Sequence, residues 1–287
     1  MQYLKATDES EAVRHLKDAK GEGFVLAGGT DLLVQMRTRR VSPSVVVDIK
    51  ALPGVNAIRK GDDGYRIGAA VPGAALGEDA EFSAAWPGVA EAAQLIGSTQ
   101  IQGRATMVGN LCNASPAADS VPALIAADAV AIVEGPNGRR ELAVADVAEG
   151  PGKTTLAVGE FVSALRLPPR PNRASDAYLR FIPRTEMDIA VASAGVNLTL
   201  DGDGTITAAR VALGAVAATC YLCEKAGQAL IGTQLDDRVL AELSEICSSS
   251  AKPIDDKRGT VEYRRDVVGV LAKRAAGIAY ARAKEAS

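Results

Sequence analysis

Two short stretches hold the residue types from which a binding site could be built. The first runs from Thr106 to Asp119, TMVGNLCNASPAAD, small and polar within a chain rich in Ala, Val and Leu. Asn110, Asn113, Ser115 and Asp119 bring amide, hydroxyl and carboxylate groups into one span. Gly109 admits backbone angles closed to other residues, and Pro116 limits how the segment bends. A loop of this composition can turn several N–H groups toward one anion, although ordinary turns use the same residue types. The second stretch is Gly28-Gly29-Thr30-Asp31, which follows the apolar run Phe24-Val25-Leu26-Ala27 and precedes Leu32, Leu33 and Met36 at helical spacing. Strand, glycine turn and helix start leave N–H groups unpaired at a helix N-terminus, which favours phosphate. Neither common nucleotide motif is present. Gly21, Gly23 and Gly28 are wrongly spaced for the dinucleotide fingerprint, and GPGKTT at 150–155 lacks the upstream glycine and apolar strand of a P-loop.

Composition narrows the chemistry further. The 287 residues give room for roughly two domains. Hydrophobic residues make up 47%, enough for a full core. The net charge is −3 with both signs scattered, so no nucleic-acid surface is expected. No apolar run is long enough for a membrane span. The opening MQYLKATDESEAVRHL reads as strand then helix, unlike a signal peptide, and points to a cytoplasmic protein. Cys112, Cys220, Cys223 and Cys247 are expected as free thiols. Cys220 and Cys223 form a solitary C-x-x-C, and a zinc site needs about four ligands. His15 is the one histidine, so neither a metal site nor a histidine-based triad is expected.

The elements that must position the two stretches alternate irregularly. Residues 2–5 read as a strand, and Asp8 or Ser10 caps a helix through Ala12, Val13, Leu16 and Ala19. Strands are predicted at 24–27, 45–49, 55–58 and 65–69, the last two joined by a turn at 61–64. Pro87 starts a helix that carries Val89, Ala92, Ala93 and Ile96 to Gly97. The Thr106 stretch follows as a loop. A helix at 121–127 and strands at 129–134 and 161–167 come next. PPRPNRASD at 168–176 is the best linker candidate. Beyond it, DGDG at 201–204 turns between strands at 195–200 and 206–214, and helices at 235–247 and 263–283 close the chain. Mixed order of this kind argues for an α+β fold over a doubly wound parallel sheet.

AGGTDLL at 27–33 and ATMVGNLCNASPAAD at 105–119 resemble the two FAD-binding segments in the flavoprotein (medium) subunit of molybdenum hydroxylases. This is the family of xanthine dehydrogenase and carbon monoxide dehydrogenase. DIKALPGV at 48–55, RIGAAV at 66–71, RTEMDIAVASAGV at 184–196 and EYRR at 262–265 also fall where that family has similar segments. The resemblance spans essentially the whole chain. It implies a FAD-binding domain of the vanillyl-alcohol-oxidase (PCMH) type over 1–172, in subdomains of about 1–54 and 55–172. A smaller α+β C-terminal domain would follow over 173–287.

Residue by residue, the resemblance assigns Val25, Leu26, Ala27, Gly28, Gly29, Thr30, Asp31 and Leu32 to the pyrophosphate and ribityl chain. Thr106, Val108, Gly109 and Asn110 match the second segment, and Asp119 the carboxylate in the same loop. Ile96 and Val162 match apolar positions around the flavin. Arg180 falls where many relatives have Lys, and Ile189 beside the flavin ring. Val108 departs from the pattern: the family reads Thr-(Ile or Val)-Gly-Gly-Asn, and valine stands at the first glycine. Because valine does not readily take positive φ, its backbone is expected to be extended.

As a FAD subunit the chain would take electrons from the 2Fe–2S clusters of a small partner, next to a large molybdopterin subunit, in a dimer of heterotrimers. It would pass them to an external acceptor: NAD, a quinone, a carrier protein or oxygen. It holds no cluster framework of its own, and no cysteine-rich insertion lies between Asn110 and Val121. Thr30-Asp31, where CO dehydrogenase subunits often have His-Ser, and GPGKTTL followed by GEFV lean toward purine or N-heterocycle hydroxylation. The alternatives are a stand-alone flavin oxidoreductase acting on its own small substrate, and a scaffold without flavin.

Overall fold

The computed structural model describes residues 1–286. The chain opens as a small parallel sheet. Strands β1 (Gln2–Lys5), β2 (Gly23–Leu26) and β3 (Val45–Asp48) lie in the order β1-β3-β2, joined through helices α1 (Glu9–Asp18) and α2 (Leu32–Arg37). β3 takes the centre because Val45, Val46 and Val47 suit a strand covered on both faces. Asp8 caps α1 by accepting from the Glu11 N–H at 2.8 Å.

The second unit is an antiparallel sheet with a group of short helices. Its strands are β4 (Ile58–Gly61), β5 (Gly64–Gly68), β6 (Val130–Glu134), β7 (Arg140–Ala143) and, after the small hairpin β8 (Ala148–Gly150) and β9 (Lys153–Thr154), β10 (Phe161–Leu167). The sheet order is β4-β5-β10-β6-β7. Between β5 and β6 lie α3 (Gly73–Glu78), α4 (Ala80–Ala85), α5 (Pro87–Gln94), α6 (Thr99–Gln102), α7 (Met107–Cys112) and α8 (Ser120–Ala126). Three expectations fail here. The Thr106 stretch is not a loop throughout, because Thr106 Oγ1 accepts from the Gly109 N–H at 2.9 Å and starts a helix. Val108 is accordingly helical and buried, not extended, and needs no positive φ. Val55 lies in a turn before β4 instead of in the strand.

The third unit is the antiparallel sheet β11 (Ala174–Phe181), β12 (Ala192–Leu200), β13 (Ile206–Gly214) and β14 (Tyr221–Leu222). It is backed by α9 (Glu224–Leu230), α10 (Asp237–Ser250) and α11 (Val261–Glu285). The alanines at 272, 275, 276, 279 and 283 form a fully buried stripe that lets α11 lie close on β11 and β12. β11 begins inside the stretch read as a linker. Asp176 is buried there, accepts from the Val89 N–H at 3.0 Å and pairs with Arg170 at 3.1 Å. Gly88 faces this joint, where a Cβ would lie 2.6 Å from Asp176 Oδ2 and 2.7 Å from the Ala177 backbone. Arg282 adds a bond from α11 to the Asp176 carbonyl at 3.0 Å and an ion pair with Glu91. β11 is thus locked to α5, which fixes the strand that carries Tyr178 and Arg180. The family-like segment EYRR also has a structural part: Arg264 donates to the carbonyls of Val191 at 2.8 Å and Ala215 at 3.1 Å. Among the described residues no helix is long and apolar enough to cross a membrane.

Candidate functional site

The two stretches singled out by residue type meet. β2 ends at Leu26, whose carbonyl accepts from the Ile49 N–H at 3.2 Å. Gly29 then takes φ +77°, a region that favours glycine. Gly28 is required for a different reason: a Cβ there would sit 2.0 Å from the Arg104 carbonyl oxygen. The Gly28 carbonyl in turn accepts from Arg104 Nε at 3.2 Å. So the first loop lies backbone to backbone against the entrance of the second. The link continues through Asn113, which donates to Asp31 Oδ1 at 3.4 Å and accepts from Gln35 Nε2 at 2.8 Å.

Five consecutive N–H groups, Gly28 to Leu32, donate to no acceptor among the described residues; the first bond of the helix runs from Leu33 N to Gly29 O at 3.1 Å. Backbone donors of this kind are normally paired, and a run of them after a glycine turn matches a doubly charged pyrophosphate. No lysine clamp is needed.

The second stretch is held from both sides. The Gly73 N–H donates to the Ala105 carbonyl at 2.8 Å. Asn110 Oδ1 accepts from the Ser120 N–H at 3.1 Å and from its hydroxyl at 2.8 Å, which fixes the start of α8. The β8–β9 hairpin, the GPGKTT segment, also leans on this stretch, with the Gly152 N–H on the Ala114 carbonyl at 3.0 Å.

Asp119, one residue before Ser120, is the electrostatic centre. Its Oδ2 pairs with Arg180 Nη1 at 2.7 Å, and its Oδ1 accepts from the Tyr178 hydroxyl at 3.2 Å. The Arg180 side chain is only 6% exposed, so it is not a solvated surface charge. Burial raises the Asp119 carboxyl above its ordinary value, opposed by the Arg180 charge and by its hydrogen bonds with Arg180 and Tyr178.

The remaining residues expected at the site separate into two groups. Val108, Ile96 and Val162 are buried. Val162 sits at an irregularity of β10, the strand on which α7 packs. Val25, Leu26 and Ala27 are half-buried, with Val25 and Ala27 packed on the same core. Ile189 is different: it is 50% exposed on the segment before β12, with its N–H on the Asp188 carboxylate at 2.8 Å. Arg104, Gln35 and Tyr178 were not singled out from sequence. Tyr178 alone had a signal, its position two residues before Arg180 in an alternating strand.

Other candidate chemistry lies elsewhere. Among the described residues no three of His, Cys, Asp and Glu are grouped to hold a metal. Cys220 belongs to the core of the first two units, with its thiol 3.2 Å from the Pro116 carbonyl and pushed up to about 12 by burial. Cys223 belongs to the core of the third, and a hydrogen bond from Cys247 pulls its thiol down to about 6. A partly open cavity of about 190 Å³ lined by Leu52, Gly54, Arg59, Arg66 and Ser163 shares no residue with the two stretches.

Comparison with known proteins finds relatives along the whole chain. The family model for the FAD binding domain in molybdopterin dehydrogenase matches residues 1–170, and that for the CO dehydrogenase flavoprotein C-terminal domain matches 177–279. The carbon monoxide dehydrogenase medium chain of Afipia carboxidovorans is 34% identical, over 98% of this chain and 97% of the relative. The xanthine dehydrogenase FAD-binding subunit of Escherichia coli is 30% identical, over 95% and 93%. Among solved structures, reconstituted CO dehydrogenase from Oligotropha carboxidovorans superposes with a TM-score of 0.93 at 32% identity, covering 98% of both chains. With matches along its whole length, this chain belongs to the FAD-binding medium subunits of the molybdenum hydroxylase family, oxidoreductases with FAD as cofactor.

Proposed function

We propose that the chain is the electron-relay subunit of a molybdenum-dependent hydroxylase, taking electrons from the 2Fe–2S clusters of a small partner and delivering them to an external acceptor. Bound FAD supplies the redox chemistry, since a flavin exchanges electrons singly or in pairs. The segment from Val25 to Leu32 would hold the pyrophosphate and ribityl chain, with the N–H groups of Gly28 to Leu32 on the pyrophosphate, and the stretch around Thr106, Gly109 and Asn110 would be the second FAD-binding segment. Arg180, fixed by Asp119, would face the flavin. Val108, Ile96 and Val162 would support the site from beneath.

One observation favours a relay over an oxidase with its own substrate. Proton abstraction needs a free base beside the flavin, and the buried carboxylate of the site, Asp119, has both oxygens engaged. Asp31 accepts from Asn113, and Asp119 accepts from both Arg180 and Tyr178. His15 is on α1, beside Glu11 at 3.5 Å. Electron delivery from a partner's cluster requires no such base.

The same reading extends to a large molybdopterin subunit, a dimer of heterotrimers and a cytoplasmic setting. Relatives described as medium chains support the multi-subunit assembly. The domain division near residue 172 is supported by the two family matches, which break between 170 and 177. Relatives at comparable identity carry the names of CO and xanthine dehydrogenases, which supports a substrate set by the partner and not by this subunit. The test is anaerobic mixing of the isolated FAD-loaded subunit with purines, N-heterocycles and CO, repeated with the assembled complex. Flavin bleaching only in the complex is expected. Rapid bleaching in the isolated subunit would make it a stand-alone oxidoreductase.

A further inference from the structure

Arg180 brings a full positive charge into the site, and most of its hydrogen-bonding capacity is unused. A guanidinium presents five N–H donors in a rigid fork. Only Nη1 is engaged, at Asp119 Oδ2; Nε and Nη2 donate to no acceptor among the described residues, although the side chain is 94% buried. Neither nitrogen is among the fully enclosed unpaired polar atoms of the described residues, so both can be reached from outside and are open to a bound acceptor.

Arginine and a carboxylate ordinarily meet fork to fork, with two parallel bonds. Asp119 does not do so here, because its second oxygen accepts from the Tyr178 hydroxyl at 3.2 Å. Tyr178 and Arg180 are two residues apart on β11, so both side chains leave the same face of the strand. Burial, and then the Asp119 charge, hold the Tyr178 phenol well above its ordinary value, so it remains a donor at neutral pH.

Building on the FAD reading above, we infer that Tyr178 is a positioning residue of the flavin site. It occupies Asp119 Oδ1, restricts Asp119 to one nitrogen of Arg180, and keeps Nε and Nη2 available to the bound flavin. Reduction brings negative charge to the flavin ring, so a guanidinium with free donors favours the reduced form and raises the potential. With phenylalanine at 178, Asp119 is free to take a second nitrogen, satisfying the guanidinium internally and competing with the cofactor.

The test compares Tyr178→Phe and Arg180→Gln with the parent chain, each loaded with FAD. The readouts are the flavin midpoint potential, the FAD dissociation constant and the melting temperature of the apoprotein. Tyr178→Phe is expected to lower the potential and weaken FAD binding roughly tenfold, the scale of one charge-linked hydrogen bond. The apoprotein melting temperature should stay within about 3 °C. Arg180→Gln should lower the potential further. An unchanged potential in Tyr178→Phe, with or without a drop in melting temperature, overturns the inference and leaves Tyr178 a purely structural residue. An unchanged potential and FAD affinity in Arg180→Gln would instead sink the placement of Arg180 at the cofactor.

Discussion

Replacing Gly28 by alanine adds one methyl group where two backbones touch. The new Cβ would lie 2.0 Å from the Arg104 carbonyl oxygen and 2.8 Å from its carbon, whereas ordinary contact begins near 3.4 Å. The loop or the entrance to α7 must therefore retreat by about 1.4 Å, the difference of 3.4 and 2.0. That is more than the roughly 0.5 Å within which a binding constellation keeps its geometry. Overpacking of this kind costs about 1–3 kcal/mol, and loss of the Arg104–Gly28 hydrogen bond about 1 kcal/mol. If the cost falls on the closed, FAD-bound arrangement, affinity drops by roughly 30- to 1000-fold. The assay is titration of the apoprotein with FAD, read by flavin fluorescence, alongside its melting temperature. Arg104→Ala removes the side-chain bond without the clash and should weaken binding only about fivefold. FAD affinity within threefold of the parent in Gly28→Ala would refute the reasoning, because it would show that the two loops need not touch.

Three further outcomes are expected. FAD should be held non-covalently, since neither His15 nor a cysteine is among the residues assigned to the flavin; acid precipitation should leave the yellow colour in the supernatant, and colour retained in the pellet would contradict this. Asp176→Ala should destabilise the chain by about 3 kcal/mol by leaving Arg170 buried without its partner; an unchanged denaturation midpoint would remove the joint between α5 and β11 from the account. Arg140 makes two 2.8 Å bonds to Glu160 and holds its carboxyl below the ordinary value. The stability this gives is present above the unfolded carboxyl's titration and lost as pH falls through the folded one. Glu160→Gln should therefore lower stability at pH 7 by up to about 1 kcal/mol and by progressively less below about pH 4.5; a penalty that grows on acidification would reverse the sign.

Sequence pattern carried much of the architecture because local rules dominate it. Asp8 announced α1, the run at Val45–Asp48 announced the central strand of the first sheet, and Asp201 to Gly204 announced the turn between β12 and β13. The helix α7 was hidden because Gly109 and Asn110 are poor helix formers, and only the Thr106 cap compensates. β11 was hidden by the prolines and charges that precede it; its Asp176 is buried only because Arg170 and the start of α5 pair with it. At the site, the N–H run after Gly28 was legible from the strand–glycine–helix order. Contacts between distant positions were not. Gly28 against Arg104 and Tyr178 against Asp119 depend on tertiary approach, which spacing alone does not encode.

The central claim is that the loop from Gly28 to Leu32 and the buried Asp119–Arg180 pair together bind one FAD. The most direct measurement is a crystal structure of the purified, FAD-loaded chain. The account predicts pyrophosphate oxygens within about 3 Å of several N–H groups between Gly28 and Leu32, and the flavin ring in contact with Arg180. FAD seated elsewhere, for instance over Arg59 and Arg66, with those five N–H groups still unpaired, would contradict it.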